Sequence, residues 1–157
     1  MRVILFFFAA FSLLFGAYIR DNTLETVYDN QTNLMWQDNA IVASVDHKLD
    51  WTASIDYCEN LDFAGFQDWR LPNVNELLSI TDLSVYNPAI DSTFQNTAAL
   101  YHWSSTTQDS NASRAWSVGF YSGDDDVDGK TGNGYVRCVR DRDVLTAPPA
   151  IYYLLLN

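Results

Sequence analysis

The chain reads as an α+β fold with an antiparallel sheet. Three observations carry that reading: a hairpin pattern near the start, two short helix patterns in the middle, and three strand patterns confined to the last third. Elements grouped by type in this way do not build the alternating βαβ units of a parallel sheet.

An apolar run precedes the first element. Residues 3–15 are apolar apart from Ser12, with Arg2 ahead and Gly16 and Ala17 behind. As a helix the run would reach roughly 20 Å, short of a ~30 Å hydrocarbon core. That is the pattern of a secretory signal peptide. Cutting after Ala17 would put bulky Phe15 where a small residue is wanted, so an uncleaved anchor stays open. The division is therefore 1–17 as signal or N-terminal anchor, 18–147 as one domain, and 148–157 as an apolar tail. The protein is expected to be secreted, periplasmic or at the cell surface, with no transmembrane domain after signal removal.

Within the domain, residues 26–28 and 34–37 read as two strands around the turn cluster Asp29, Asn30, Gln31, Thr32 and Asn33. Asp50 is placed to cap a helix starting at Trp51, where Trp51, Ile55, Cys58 and Leu61 recur at helical spacing. Asp68, Trp69, Arg70 and Leu71 read as extended, because Pro72 disfavours helix before it. Asn73 and Glu76 make a capping-box pattern for a second helix with Val74, Leu77 and Leu78 inward. Residues 84–100 read as a long loop. Residues 101–106, 115–121 and 134–140 read as strands, the second with Trp116, Val118 and Phe120 alternating and the third with Val136 and Cys138 on one face.

Twenty acids against nine bases give a net charge of −11, or −12 once Arg2 leaves with the signal. Two polyanions repel, so nucleic acid is excluded as a partner. With 48% hydrophobic and 15% aromatic residues, the chain is too apolar for disorder. Two cysteines cannot build a four-thiolate zinc site. In an oxidising compartment the pair Cys58 and Cys138 is expected to form a disulfide from the first helix to the last strand.

The ordered set of residues resembles the C-terminal domain family of the Lcl collagen-like adhesins. The pieces that carry it are Leu34, Met35, Trp36 and Gln37; Trp51 with Tyr57 and Cys58; Gly65; the run from Asp68 to Asn73 with Glu76 and Leu77; Trp103 to Thr106; Val118 with Phe120; and Val136 to Arg140. The resemblance spans about residues 26–142. It implies a C-type-lectin-like fold, with two helices on small antiparallel sheets and a helix-to-last-strand disulfide. It also implies an exported adhesion module that binds rather than catalyses, sulfated glycosaminoglycan binding, and a homo-oligomer. Trp69, Arg70, Asn73, Glu76, Trp103 and Arg137 belong to the motif and read as architectural. The acid excess opposes a polyanionic sugar unless bases gather locally. Those available toward the end of the chain are Arg114, Lys130, Arg137, Arg140 and Arg142. The calcium-binding triplets of sugar-binding C-type lectins have no match here: the nearest segments are Asn87-Pro88-Ala89 and Trp103-Ser104-Ser105.

Other residue patterns suggest chemistry. Asp124, Asp126 and Asp128 followed by Gly129 have the alternation of a calcium loop. An EF-hand would close with an acid where Tyr135 stands, so the competing reading is a solvated acidic tip between strands. Calcium is the one cofactor the sequence suggests. Arg70, between an acid and an aromatic, would suit a carboxylate or sulfate, or else a structural bond. His102 near Ser104 lacks the flanking glycines of a nucleophile elbow. Abundant Tyr, Trp and Asn suit an extracellular glycan or protein ligand, although Trp36, Trp69, Trp103 and Trp116 are expected in the core. The reading is a non-enzymatic binder. Its rivals are a relative of sulfatase-modifying enzymes, which would use free thiols, and a structural module assembling through the tail at 148–157.

Overall fold

The computed structural model describes residues 17–142 of the chain. The apolar run at 3–15 and the tail at 148–157 lie outside the described residues. Among the described residues no helix is long and apolar enough to cross a membrane. In chain order the elements are β1 (Tyr18–Asp21), β2 (Thr26–Asp29), β3 (Leu34–Gln37), α1 (Trp51–Glu59), α2 (Val74–Ser79), β4 (Tyr101–Thr107), β5 (Arg114–Gly119), β6 (Asp124–Gly129) and β7 (Val139–Asp141). Short 3-10 turns occupy Ala40–Ala43 and Val45–His47. One antiparallel sheet has the order β1-β2-β3-β7, the other β4-β5-β6.

The local signals work as their chemistry requires. The Asp29 carboxylate accepts from the Gln31 amide at 2.8 Å and the Thr32 hydroxyl at 2.6 Å, closing the β2–β3 turn. Asp50 caps α1 by accepting from the Ala53 amide at 2.9 Å. Asn73 and Glu76 form a reciprocal capping box on α2, each side chain accepting from the other's amide.

Strand alternation sorts the first sheet into two faces. Val27, Trp36 and Val139 are register partners across three strands, and all are buried. They join Leu77 and Ile80 from the α2 region, with Phe94, Val118 and Phe120, in one core cluster. A second cluster surrounds Cys58, Trp69, Trp103, Val136 and Cys138, with Trp51 and Ile55 of α1 packed on it. The disulfide Cys58–Cys138 joins α1 to the residue just before β7, with Cα atoms 5.5 Å apart.

Three expectations are corrected, and one strand, β1, was not expected. β1 gave no sequence signal, being four residues with no apolar alternation on either side. The acidic run 124–129 is not a loop but the edge strand β6, because every residue from Asp124 to Gly129 pairs in register with β5. The strand expected at 134–140 is regular only from Val139. Before that, Gly134 pairs with Leu49 and Tyr135 with His102, so the segment leaves the first sheet to run between the two. Trp116 is half-buried rather than in the core: its neighbour in register is Val127 on the edge strand, which is itself half-exposed.

Two stability predictions follow from this packing. Cys58→Ser should lower the melting temperature under oxidising conditions, losing up to ~4.5 kcal/mol on the chain-entropy model for the loop it closes; an unchanged melting temperature would refute the tie. His102 is wholly buried, stacks on Tyr135 and bonds the Leu100 carbonyl through Nδ1 at 3.1 Å. Burial, then the nearby Arg137 charge, pushes its pKa down to about 3. The unfolded value is about 6.5, so between these values only the unfolded chain takes up the proton. This stability is full above about pH 6.5 and is lost as pH falls toward 3. Urea midpoints measured from pH 7 to pH 4.5 should fall for the wild type and fall less for His102→Gln.

Candidate functional site

The site is built on a buried ionic hub. Asp38 follows β3 and is wholly buried. One carboxylate oxygen accepts from Arg137 Nη1 at 2.9 Å and from the Asn96 amide at 3.2 Å. The other accepts from Arg20 Nη1 and from the Gln95 amide, the latter at 2.8 Å. Arg137 also donates to the Gln37 carbonyl at 2.9 Å, and to the Asn96 carbonyl and Thr97 hydroxyl at 2.7 Å each. Burial pushes the Arg137 pKa down to about 9, with the Arg20 charge adding to the shift, which leaves it cationic at neutral pH. The hub joins β1, the end of β3, the 94–97 loop and the segment before β7.

The opposite face of this first sheet carries an open groove of about 570 Å³. Ile19, Tyr28, Met35 and Arg140 are successive register partners across β1, β2, β3 and β7, and all four line it. Leu24 and Phe66 add apolar walls. Two residues along from Arg140, on the same face, Arg142 lies over the Tyr28 ring at 4.2 Å. Arg140 lies over the Phe66 ring at 3.9 Å. Asp21 is the one acid among the lining residues. The groove thus alternates rings and guanidinium planes in a chain of net charge −11.

Phe66 reaches the groove through a two-residue turn. Phe63 and Phe66 exchange backbone hydrogen bonds at 3.1 and 3.0 Å, with Ala64 at φ 56° and Gly65 at φ 82° between them. Both positions require left-handed backbone, which Gly65 adopts freely and Ala64 does not. Trp69 holds the turn, its Nε1 donating to the Phe63 carbonyl at 3.1 Å.

The expected motif residues clamp β7 from outside. Asp68 grips Arg140 in a two-point bond, Nε at 2.6 Å and Nη2 at 2.8 Å. That bond holds the Asp68 carboxyl below its usual pKa. Arg70 pairs with Val139 through its backbone. Its guanidinium donates to both Glu76 oxygens at 2.7 Å and to Asp141 at 3.1 Å. The Glu76 bond raises the Arg70 pKa. Of the bases proposed for a patch, Arg140 and Arg142 come together, Arg137 is in the hub, and Arg114 and Lys130 belong to the second sheet. Arg20, Asp38 and Phe66 escaped sequence reading. Each acts through a contact far along the chain, and no local pattern marks it.

The remaining expected sites separate. Asp124, Asp126 and Asp128 stand at alternate positions along β6 rather than around a centre. Their carboxylates accept from Ser122, from the Val127 amide and from Ser117 respectively. Among the described residues, no three His, Cys, Asp or Glu residues gather in a way that could hold a metal ion. Ser104 is buried and its hydroxyl donates to the Trp116 carbonyl at 2.7 Å, not to His102. Trp103 is also buried, with Nε1 donating to the Leu49 carbonyl at 3.0 Å.

Asp38→Asn should cost about 3–5 kcal/mol, because it leaves Arg137 buried without a counter-charge. Chemical denaturation of the variant measures this, and a loss below about 1 kcal/mol would mean that the hub is not ionic.

A search of the curated proteins finds no match to this chain. The family model for the Lcl C-terminal domain matches residues 25–140. That span runs from the start of β2 into β7, and so takes in both helices, the second sheet, both cysteines, the hub residues Asp38 and Arg137, and Phe66 with its turn. The chain belongs to the Lcl C-terminal domain family.

Proposed function

We propose that this chain is an exported, non-enzymatic adhesion module that holds an extracellular glycan in the groove of its first sheet. The observation that carries the reading is the pair of guanidinium–ring stacks, Arg142 on Tyr28 and Arg140 on Phe66, beside an apolar wall. A sugar ring offers an apolar C–H face for Met35 and Leu24. Its hydroxyl or carboxylate oxygens accept from the guanidinium groups. Arg142 is only half-buried and stays accessible, whereas Arg140 is 3% exposed and positioned by Asp68. Of the three lining arginines, Arg20 is bonded to Asp38 and Arg140 to Asp68, so Arg142 is the cation left to meet an acidic sugar unit.

Family membership supports an adhesin-type role at a surface. The helix-to-late-strand disulfide supports the C-type-lectin-like fold expected from the resemblance. It also bears on the enzymatic alternative, which would need that bond reduced before any thiol chemistry.

A glycan array probed with the wild type, Arg142→Ala and Tyr28→Ser, each with and without calcium, tests the reading. Retention of uronate-bearing glycans should fall roughly tenfold in either variant, as the loss of a stacked cation implies. Retention should not depend on calcium. Equal retention by all three proteins, or retention only with calcium, would move the site elsewhere.

A further inference from the structure

A second surface forms where the loop after α2 meets the turn between β5 and β6. The loop contributes Asp82, Leu83, Val85 and Tyr86; the turn contributes Tyr121 and Asp124. Backbone bonds join them: the Asn87 amide donates to the Tyr121 carbonyl at 3.0 Å, and the Ala89 amide to the Phe120 carbonyl at 2.6 Å. Gly123 is at φ +84°, and a Leu83 methyl lies 2.6 Å from where a Cβ would stand. The left-handed backbone at that position favours glycine. The Tyr86 and Tyr121 rings meet edge to face with centroids 4.4 Å apart.

This ordered surface is nevertheless open. Leu83 is 74% exposed, Tyr86 62% and Tyr121 48%. Its charge is one-sided, since the loop carries Asp82 and the turn leads into Asp124, their carboxylates accepting, among the described residues, only from the neutral Ser84 and Ser122. The protein's own bases are engaged elsewhere. Lys48, Lys130, Arg137, Arg140 and Arg142 each lie over another ring. Arg20, Arg70 and Arg114 bond to Asp38, to Glu76 and to the Val127 carbonyl. Among the described residues, then, none supplies a cation to Tyr86, Tyr121, Asp82 or Asp124.

We propose that Tyr86 and Tyr121, rimmed by Asp82 and Asp124, bind a lysine- or arginine-bearing segment of a partner polypeptide. Such side chains match both halves of the surface. Their aliphatic stems cover Leu83 and Val85, while the charged head lies on a tyrosine face within reach of a carboxylate. The same ring–cation pairing recurs five times among the described residues. A neutral sugar would stack on the rings but leave both acids without a counter-charge. This site is independent of the groove on the first sheet.

The test is an NMR titration of the full chain with a hexalysine peptide at about 0.15 M salt, where long-range attraction is screened. In the wild type, amide shifts should concentrate at residues 82–86 and 121–125. Shifts scattered over the acidic surface, or confined to the first-sheet groove, would overturn the proposal. Tyr86→Ser/Tyr121→Ser keeps the charge and should weaken binding roughly tenfold. Unchanged affinity in a folded double variant would mean charge attraction alone, which also overturns it. A glucosamine oligosaccharide is titrated in parallel. Binding of that sugar at these residues, without binding of the peptide, would assign the surface to amino sugars and refute a polypeptide partner.

Discussion

The buried pair Asp38–Arg137 is the interaction on which the rest of the structure depends. A lone charge in a protein interior is costly, and a buried pair is tolerated only when further hydrogen bonds satisfy the remaining donors and acceptors. Here the carboxylate takes two arginines and two backbone amides, while the Arg137 guanidinium reaches two carbonyls and a hydroxyl besides through its Nη atoms, its Nε being left unbonded. These partners come from β1, from the end of β3, from the 94–97 loop and from the run into β7. The ion pair therefore sets register between segments about a hundred residues apart, which apolar packing alone would specify less sharply.

The segment 134–138 is the seam between the two sheets. Tyr135 pairs with β4, Arg137 enters the hub, and Cys138 is tied to α1 by the disulfide. A regular strand could not serve both sheets, which explains why the ladder of β7 begins only at Val139. Once there, β7 is gripped from outside by Asp68 and Arg70 and from inside by Trp36. The clamp that fixes β7 also holds Arg140 in place under Phe66.

The same bonds explain how an acidic protein presents a locally cationic groove. Most of its bases are spent within the fold, on carboxylates, carbonyls or aromatic rings. Arg142, stacked on a ring and paired to no carboxylate among the described residues, stays half-open at the groove. Four of the acids fall on the edge strand β6, and Asp82 lies in the loop before Tyr86. On β6 they have a structural use as well. Asp126 bonds the Val127 amide and Arg114 the Val127 carbonyl, so the centre of that edge offers little to a second strand.

The sequence by itself determined the α+β class, the β2–β3 hairpin, both helices with their caps, the disulfide partners and the family. These rest on short-range signals: turn carboxylates, capping oxygens, apolar periodicity and an even cysteine count. Asp68, Trp69 and Arg70 were legible as an architectural motif, though not as the clamp on β7. Only the tertiary structure decided that the acidic run is a paired edge strand, that Arg20 and Arg137 meet at Asp38, and that Phe66 faces Arg140 across a groove. A carboxylate at position 38 carries no local mark of burial. Its partners lie 18 and 99 residues away in the chain, and it is the closing of both sheets around it that makes its charge decisive.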